Sequence, residues 1–216
     1  MCNNFTSLSS IFIEIQVFPS IYYFKLMLKN KLILEAHENY QKRSYRNRYY
    51  IGSTTGKVEL SIPLVKGKNK SQNIKDVLIS YETDWQRQHL KTIQSCYGNS
   101  AFYNFYKDEL IELFRHKIVK LWDWNIRTQS WIADQFNIAF NFEETLEYKK
   151  ECPSEVTDFR NRMKVSGSDL KDMPSYYQVH SNAKSFIRNL SALDLLFHLG
   201  PEALHYLNKL TLNLEN

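Results

Sequence analysis

Apolar positions in the first third of the chain predict strands joined by a helix. Ile11–Val17 is apolar at most positions, which is typical of a buried strand. A Phe-Pro-Ser break follows at 18–20, and Ile21–Lys29 then has the length of a short helix with Ser20 as its candidate N-cap. Leu32–Leu34 is a second apolar strand that runs into a polar segment. We therefore predict a βαβ unit, in which ligands usually bind where a strand ends.

Three more strands are predicted before residue 80. Tyr49–Ile51 and Val58–Leu64 flank the turn-forming segment Gly52–Gly56, and this pattern indicates a hairpin. Ile74–Ile79 alternates apolar and polar residues, which is typical of a strand with one buried face. Gly52–Lys57 is one residue too short for a phosphate-binding loop, so a hairpin turn is the preferred interpretation of its glycines.

From Thr83 onward the apolar residues recur mostly at helical spacing. The fold class is accordingly α/β (or α+β), with an N-terminal βαβ or mixed sheet and a mostly helical C-terminal half, in one domain over residues 1–216. The individual predictions are a helix at Trp85–Tyr97 capped by Thr83, a second helix capped by Ser100, a third at Ile118–Ile132, a strand at Ile138–Phe142, a long loop at Lys149–Tyr176 and a last helix capped by Ser191 with Asp194 at its third position.

Composition narrows the function classes. The chain has 216 residues, a net charge of +5 and a pI of about 8.9, which is too mildly basic to predict nucleic-acid binding. Its three cysteines are isolated and its six histidines lack ligand-type spacing, so we expect neither disulfides nor a metal site, and no cofactor. No signal peptide and no membrane-spanning segment are predicted either. These features favour a reducing compartment, the cytoplasm.

Positive charge is concentrated in two places. The segment His37–Arg48 combines an imidazole, a carboxylate, amides and guanidinium groups, and Lys66, Lys68 and Lys70 follow in a predicted loop. Guanidinium forks pair with carboxylate or phosphate groups. The segment is therefore a candidate anion-binding and acid–base site after a strand, and the alternative is a solvated loop.

Two further sets of polar residues share helical faces. Trp85 and His89 lie four residues apart, and they form either a pocket wall or part of a core that contains a buried histidine. Ser191, Asp194 and His198 have the residue types of a catalytic triad, but a working triad needs its histidine between the other two groups. Helix capping by Ser191 and Asp194 is therefore the preferred interpretation, with a triad as the alternative.

Taken together, these segments resemble the WbqC-like protein family. The resemblance runs from about residue 11 to residue 207, and residues 1–10 form an atypical extension. Arg43 stands where the resemblance implies a neutral residue. The motifs that carry the resemblance are, in chain order, Phe18–Phe24, Glu35–Arg48, Leu60–Val65, Trp85–His89, Tyr97-Gly98, Tyr176–Gln178, Asn189–Phe197 and Gly200-Pro201.

The resemblance implies a protein of bacterial surface-polysaccharide (O-antigen-type) biosynthesis, of the Bacteroidetes branch. Some members of the family are described as glycine or aminoacyl transferases. The residues that match motif positions, and to which the resemblance gives pocket roles, are His37, Asn39, Asn47, Arg48, Trp85 and His89.

Two functions are open at this point. The first is a transferase that acts on a sugar or nucleotide-sugar, with His37 or His89 as general base. Its substrate-binding residues would be Asn39, Arg46, Asn47, Arg48 and Trp85, and Arg46, Arg48 and the Lys66–Lys70 loop would contact phosphate. The second is a non-catalytic protein of the same pathway that binds a nucleotide-sugar or a partner enzyme.

Overall fold

Four parallel strands form the larger of two sheets. The computed structural model of the chain describes residues 9–65, 72–163, 173–180 and 186–211. The sheet has the order β5-β2-β1-β6, in which β1 (Ser9–Ile13) pairs with β2 (Asn30–Leu34) and β6 (Val156–Asp158), and β5 (Phe142–Glu144) pairs with β2. Because every pairing is parallel, the carboxyl ends of all four strands lie at one edge of the sheet.

Helix α1 (Ile21–Lys29) connects β1 to β2 and confirms the predicted βαβ unit. It begins after Ser20, whose hydroxyl accepts a hydrogen bond from the amide of Tyr23, as the N-cap prediction requires. Strand β1 ends at Ile13, so the apolar residues Ile15 and Val17 are buried in an irregular segment that follows the strand.

The smaller sheet is an antiparallel hairpin, also as predicted. Strand β3 (Arg48–Ser53) pairs with β4 (Gly56–Ser61) in a register that joins Ser53 to Gly56. The turn requires a φ of +114° at Gly56, a backbone conformation that residues with a Cβ rarely adopt.

Five further α-helices follow residue 84 in the described part of the chain. Side chains from both sheets and from these helices share one large apolar cluster, so the core is continuous between the two halves. Within the described ranges, none of the helices combines the length and the apolar character that crossing a membrane requires. They are α2 (Trp85–Tyr97), α3 (Tyr103–Arg115), α4 (Leu121–Gln135), α5 (Ala192–Leu199) and α6 (Ala203–Lys209).

The strand predicted at Ile74–Ile79 is wrong. Ile74–Asp76 forms a 3-10 turn, capped by the side chain of Asn73. Leu78 and Ile79 each make an isolated bridge, to Lys120 and Leu64 respectively. The alternating burial therefore comes from an irregular segment held between two partners, which hydrophobic periodicity does not distinguish from a strand.

The strand predicted at Ile138–Phe142 is displaced along the chain, because β5 begins only at Phe142. The residues before it end helix α4: the amide of Ile138 donates to the carbonyl of Ala133, and Asn137 has a φ of +53°. The predicted loop at Lys149–Tyr176 contains β6, which has three residues and no apolar run that marks it. Part of that loop, residues 164–172, lies outside the described residues.

Two of the predicted helix caps are wrong. Asp84, not Thr83, caps α2 and accepts a hydrogen bond from the amide of Arg87. Helix α3 has no side-chain cap, because the Ser100 hydroxyl donates to the carbonyl of Tyr97 at the end of α2 instead.

A buried carboxylate at the start of α5 ties the C-terminal segments to the rest of the fold. Asp194 accepts hydrogen bonds from the hydroxyl of Tyr97 (2.9 Å), the amide of Gln178 (3.0 Å) and Nε2 of His180 (2.8 Å). The hydroxyl of Tyr176 donates to the same carboxylate. Helix α2, the segment 176–180 and α5 therefore meet at one side chain.

The capping role predicted for Asp194 is not found, because its carboxylate binds these side chains instead of the first turn of α5. Burial acts to raise its pKa, but the hydrogen bond from His180 and the neighbouring imidazole of His198 outweigh burial and hold the pKa well below its usual range. Ser191 alone acts as the cap, because its hydroxyl accepts the amide of Leu193. A carboxylate that accepts four donors is stabilised in its charged form, and its removal leaves those donors unpaired.

We predict that Asp194→Asn destabilises the fold by about 3 kcal/mol, because an amide presents a donor to groups that themselves donate. The matched control is Asp123→Asn, since Asp123 is an exposed aspartate in the first turn of α4. The control should cost less than about 1 kcal/mol, the size of a helix-dipole interaction. Urea unfolding measures both losses, and equal small losses in the two variants would contradict the role given to Asp194.

Candidate functional site

A cleft of about 760 Å³ opens at the carboxyl edge of the parallel sheet. We name it the edge cleft. Its walls are residues 35 and 37–42 after β2, Tyr148 after β5, and Asp158, Arg160 and Asn161 at the end of β6. Strand β1 lies between β2 and β6, so the segments that follow β2 and β6 leave the sheet on opposite sides of β1. In open α/β sheets this crevice, outside the carboxyl ends of the strands, is the usual ligand position.

One buried ion pair forms part of the floor of the edge cleft. Arg46, of which 1% is exposed, donates from Nε to Glu38 (2.6 Å) and from Nη2 to the second oxygen of the same carboxylate. Nη2 also donates to Oδ1 of Asn161 (3.0 Å). Burial raises the pKa of Glu38, and the pairing with Arg46 opposes that rise. The Arg46 guanidinium is therefore committed to partners within the protein.

A second guanidinium joins the ends of the strands. Arg160 donates to both oxygens of Asp158, at distances of 2.7 to 3.3 Å, and lies 3.3 Å from Glu35. It stacks 4.0 Å from the ring centroid of Phe12 in β1 and donates to the carbonyls of residues 149 and 150. Burial acts to raise the pKa of Asp158, but the bonds from Arg160 lower it below its usual value. Arg160 thereby contacts all four strands or the segments that follow them.

The groups that face a ligand lie on the rim. His37 is half-buried, and its backbone amide donates to Glu35 (3.0 Å), which fixes the start of the segment. Asn39, Lys42 and Tyr148 are exposed, Tyr148 with 57% of its surface accessible. The edge cleft therefore offers an imidazole, amides, one ammonium group and an aromatic face above a floor of closed ion pairs.

The family model of the WbqC-like proteins matches residues 16–158, which is more than half of the chain. The chain belongs to the WbqC-like protein family. The matched range includes helix α1, the hairpin and most of the lining of the edge cleft, and it ends before Arg160 and Asp194. No curated protein and no solved structure matches the chain.

Two of the residues predicted for the site of this WbqC-like protein line the edge cleft, namely His37 and Asn39. Asn47 and Arg48 belong to the hairpin instead. The Asn47 amide donates to the carbonyl of Ile62 (3.0 Å), and Arg48 pairs with Glu59 on β4 (2.8 Å). The predicted phosphate contact at Lys66–Lys70 lies outside the described residues.

Trp85 and His89 lie in an aromatic core. The ring centroids of Trp85 and His89 are 5.1 Å apart, and that of Trp124 is 5.5 Å from Trp85. Nδ1 of His89 lies 3.0 Å from the hydroxyl of Tyr49, and burial lowers the pKa of His89 to about 4. Neither residue lines the edge cleft, so the two histidines predicted as general bases do not meet there.

Sequence reasoning missed the part of the edge cleft that follows β5 and β6. The segment Asp158–Asn161 provides a carboxylate, a guanidinium and an amide, but it lies within a stretch interpreted as a long loop. The only local signal is the pairing of Asp158 with Arg160 two residues later. The partners across the sheet, Glu35 and Phe12, are more than 120 residues away along the chain and leave no trace in local pattern.

Three buried side chains in the described ranges bring possible metal ligands together: His180, Asp194 and His198 have ligand atoms within 4.8 Å of one another. Both nitrogens of His198 are already bonded, Nδ1 to the carbonyl of Asp194 (2.7 Å) and Nε2 to the amide of Val179 (2.9 Å). Only Nδ1 of His180 has no partner among the described residues. The hydrogen bonds of this group therefore favour a structural role over ligation of a metal.

The triad alternative also fails on geometry. The Ser191 hydroxyl accepts the amide of Leu193 and caps α5, whereas Nε2 of His198 accepts a backbone amide. A general base needs a free nitrogen next to the nucleophile, and His198 has none.

The low pKa of His89 predicts a pH-dependent stability. In the folded chain His89 takes up a proton only near pH 4, whereas in the unfolded chain it does so near its ordinary pKa of 6.5. The stability contributed by this site should therefore fall as the pH drops from about 6.5 to about 4, by about 3 kcal/mol in total. His89→Gln should flatten that dependence, and His205→Gln, at an exposed position on α6, should not.

Urea unfolding at a series of pH values across this window measures the effect. If wild type and His89→Gln lose stability in parallel between about pH 6.5 and about pH 4, the buried imidazole does not carry the dependence.

Proposed function

We propose that this WbqC-like protein is a transferase of bacterial surface-polysaccharide biosynthesis that binds a sugar in the edge cleft. The observation that carries the proposal is the position of His37 on a cleft at the carboxyl edge of a parallel sheet. Membership of the WbqC-like family supports the pathway, and the lining of the edge cleft supports the class of ligand.

The lining suits a ligand rich in hydroxyl groups. Carboxylate and amide oxygens accept hydrogen bonds from sugar hydroxyls, and amide NH₂ groups donate to them; the edge cleft provides both through Asp158, Asn39 and Asn161. The exposed ring of Tyr148 offers an apolar face beside a polar hydroxyl, which suits the mixed surface of a sugar ring.

Phosphate is a weaker candidate for the floor of the edge cleft. Arg46 and Arg160, whose forks would suit a phosphate, are paired with Glu38 and with Asp158 and Glu35. A phosphate placed there would meet three carboxylates. Lys42 on the rim is the described ammonium group that lines the cleft, so a diphosphate of a nucleotide-sugar would bind at the rim.

His37 supplies the chemistry that transfer requires. An amine or hydroxyl of the bound sugar attacks the carbonyl carbon of an activated acyl donor, such as an aminoacyl ester or thioester. The new C–N or C–O bond forms as the imidazole takes the proton of the nucleophile, and the donor C–O or C–S bond breaks as its leaving group accepts a proton. A positioned general base typically contributes about 10²–10⁴-fold to the rate.

The second candidate is a non-catalytic sugar-binding protein of the same pathway. His89, the other histidine predicted as a general base, is buried in the aromatic core. Among the described residues that line the cleft, His37 is the one histidine, and this smaller set of catalytic groups favours the non-catalytic candidate. A protein of this kind binds the sugar with no turnover.

We predict that His37→Gln lowers transfer at least about 100-fold while sugar affinity changes less than about threefold. The matched control is His116→Gln, at an exposed histidine of which the described partner is Glu112. Calorimetry against a panel of hexosamines, neutral hexoses and nucleotide-sugars selects the ligand. An assay that adds an aminoacyl ester or thioester donor then measures transfer.

Loss of transfer with retained binding in His37→Gln alone is the expected result. Binding without turnover in wild type would favour the non-catalytic alternative. Binding that persists in the charge-reversed variant Asp158→Lys, which alters the floor of the edge cleft, would contradict the edge cleft as the sugar site if that variant folds as wild type does.

A further inference from the structure

The buried face of helix α4 is polar where a helix face in a core is normally apolar. Asn125, Thr128 and Gln129 are all fully buried, with 0% of their surface exposed. They face the segment that follows β1 and the segment before β3, because Gln129 bonds to the carbonyl of Gln16 and Asn125 to that of Arg46. Because buried polar groups are nearly always hydrogen-bonded, these three side chains should have partners nearby.

The orientation of these amides follows from their bonds. Nε2 of Gln129 donates to the carbonyl of Gln16 (2.7 Å), and Nδ2 of Asn125 donates to the carbonyl of Arg46 (2.7 Å). Their NH₂ groups are thus committed, and the amide oxygens necessarily point elsewhere. Neither oxygen finds a partner among the described residues, and the same holds for Oε1 of Gln16. Three buried acceptors therefore lack donors among the described residues, and the unpaired hydroxyl next to them, that of Tyr23, has a proton for only one of them.

A buried carboxylate lies beside them. Glu14, of which 2% is exposed, accepts hydrogen bonds from the backbone amide of Asn161 (2.8 Å) and from Nε2 of Gln16 (3.4 Å). It forms no ion pair with any described residue. Burial and the Glu14 carboxylate raise the pKa of Tyr23, and the Gln129 amide lowers it, so the phenol, the carboxylate and the amide are close neighbours.

The local charge is unbalanced. Arg46 is committed to Glu38, so two buried carboxylates, Glu14 and Glu38, share one guanidinium. Among the described residues, Glu14 therefore has no ion-pair partner of its own. A buried charge is stable only when it is paired or bound to a metal ion, or when a proton neutralises it.

We propose that the seam between α4 and the β1–α1 segment binds a monovalent alkali cation, K⁺ or Na⁺. Glu14 provides the charge, and the amide oxygens of Gln16 and Gln129 provide neutral ligands, with Asn125 one helical turn away. Hard cations take oxygen ligands of these kinds. A single unbalanced carboxylate matches one positive charge, whereas calcium sites usually supply several carboxylates.

The test is thermal unfolding of the full chain in KCl, NaCl and tetramethylammonium chloride at equal ionic strength. A cation bound only by the folded state raises the Tm with concentration, by about 5 °C at about 100 times its Kd for a chain of this size. The larger rise identifies K⁺ or Na⁺ as the preferred ion. Gln129→Met, which keeps length and removes the ligand oxygen, should abolish the difference between salts; Gln135→Met, farther along the same helix, should keep it.

Equal Tm values in the three salts would overturn the proposal, because internal water would then satisfy the acceptors equally in each. A difference between salts that survives in Gln129→Met would overturn this location. If Gln129→Met does not fold, crystals of wild type grown with Tl⁺ decide the question. An anomalous peak between Glu14 and Gln129 supports the site, and its absence overturns it.

Discussion

Two guanidinium groups, that of the buried Arg46 and that of the partly buried Arg160, hold the carboxyl edge of the parallel sheet together. Arg46 closes on Glu38, and Arg160 closes on Asp158 and Glu35 while it stacks on Phe12. The Arg46–Glu38 pair closes the segment after β2, and Arg46 also donates to Asn161 after β6, whereas Arg160 joins segments that follow different strands. Because a buried charge without a partner is costly, the segments after β2, β5 and β6 have few alternative paths. The shape of the edge cleft is a consequence of this pairing.

The same pairing determines what the edge cleft can recognise. A guanidinium that is already bonded to a carboxylate on both sides of its fork has little left for a phosphate. The rim provides hydroxyl-binding amides, an imidazole and an aromatic ring, and these suit a neutral polar ligand. Within segment 37–48, Arg46 and Arg48 pair with carboxylates of the protein, whereas Lys42 is exposed on the rim, so the net charge of the segment overstates the charge that a ligand in the cleft would meet.

Local pattern predicted the elements that are long or regularly spaced: the βαβ unit, the hairpin and helix α2 follow from apolar runs, glycine turns and helical periodicity. It failed at β5 and β6, because strands of three residues exist only through pairing with β2 and β1. Within the predicted site, Arg46, Asn47 and Arg48 bond to Glu38, Ile62 and Glu59. Three residues that are neighbours in the sequence thus contact three different parts of the structure, and their spacing does not reveal this.

The central claim is that ligands bind in the edge cleft beside His37. The most direct measurement is the NMR signal of each imidazole CH group, because the chain has six histidines spread over distinct environments. Addition of a binding sugar should shift the signal of His37 and leave those of His89, in the aromatic core, and His116, on α3's exposed end, unchanged. A shift of His89 without a shift of His37 would contradict the account.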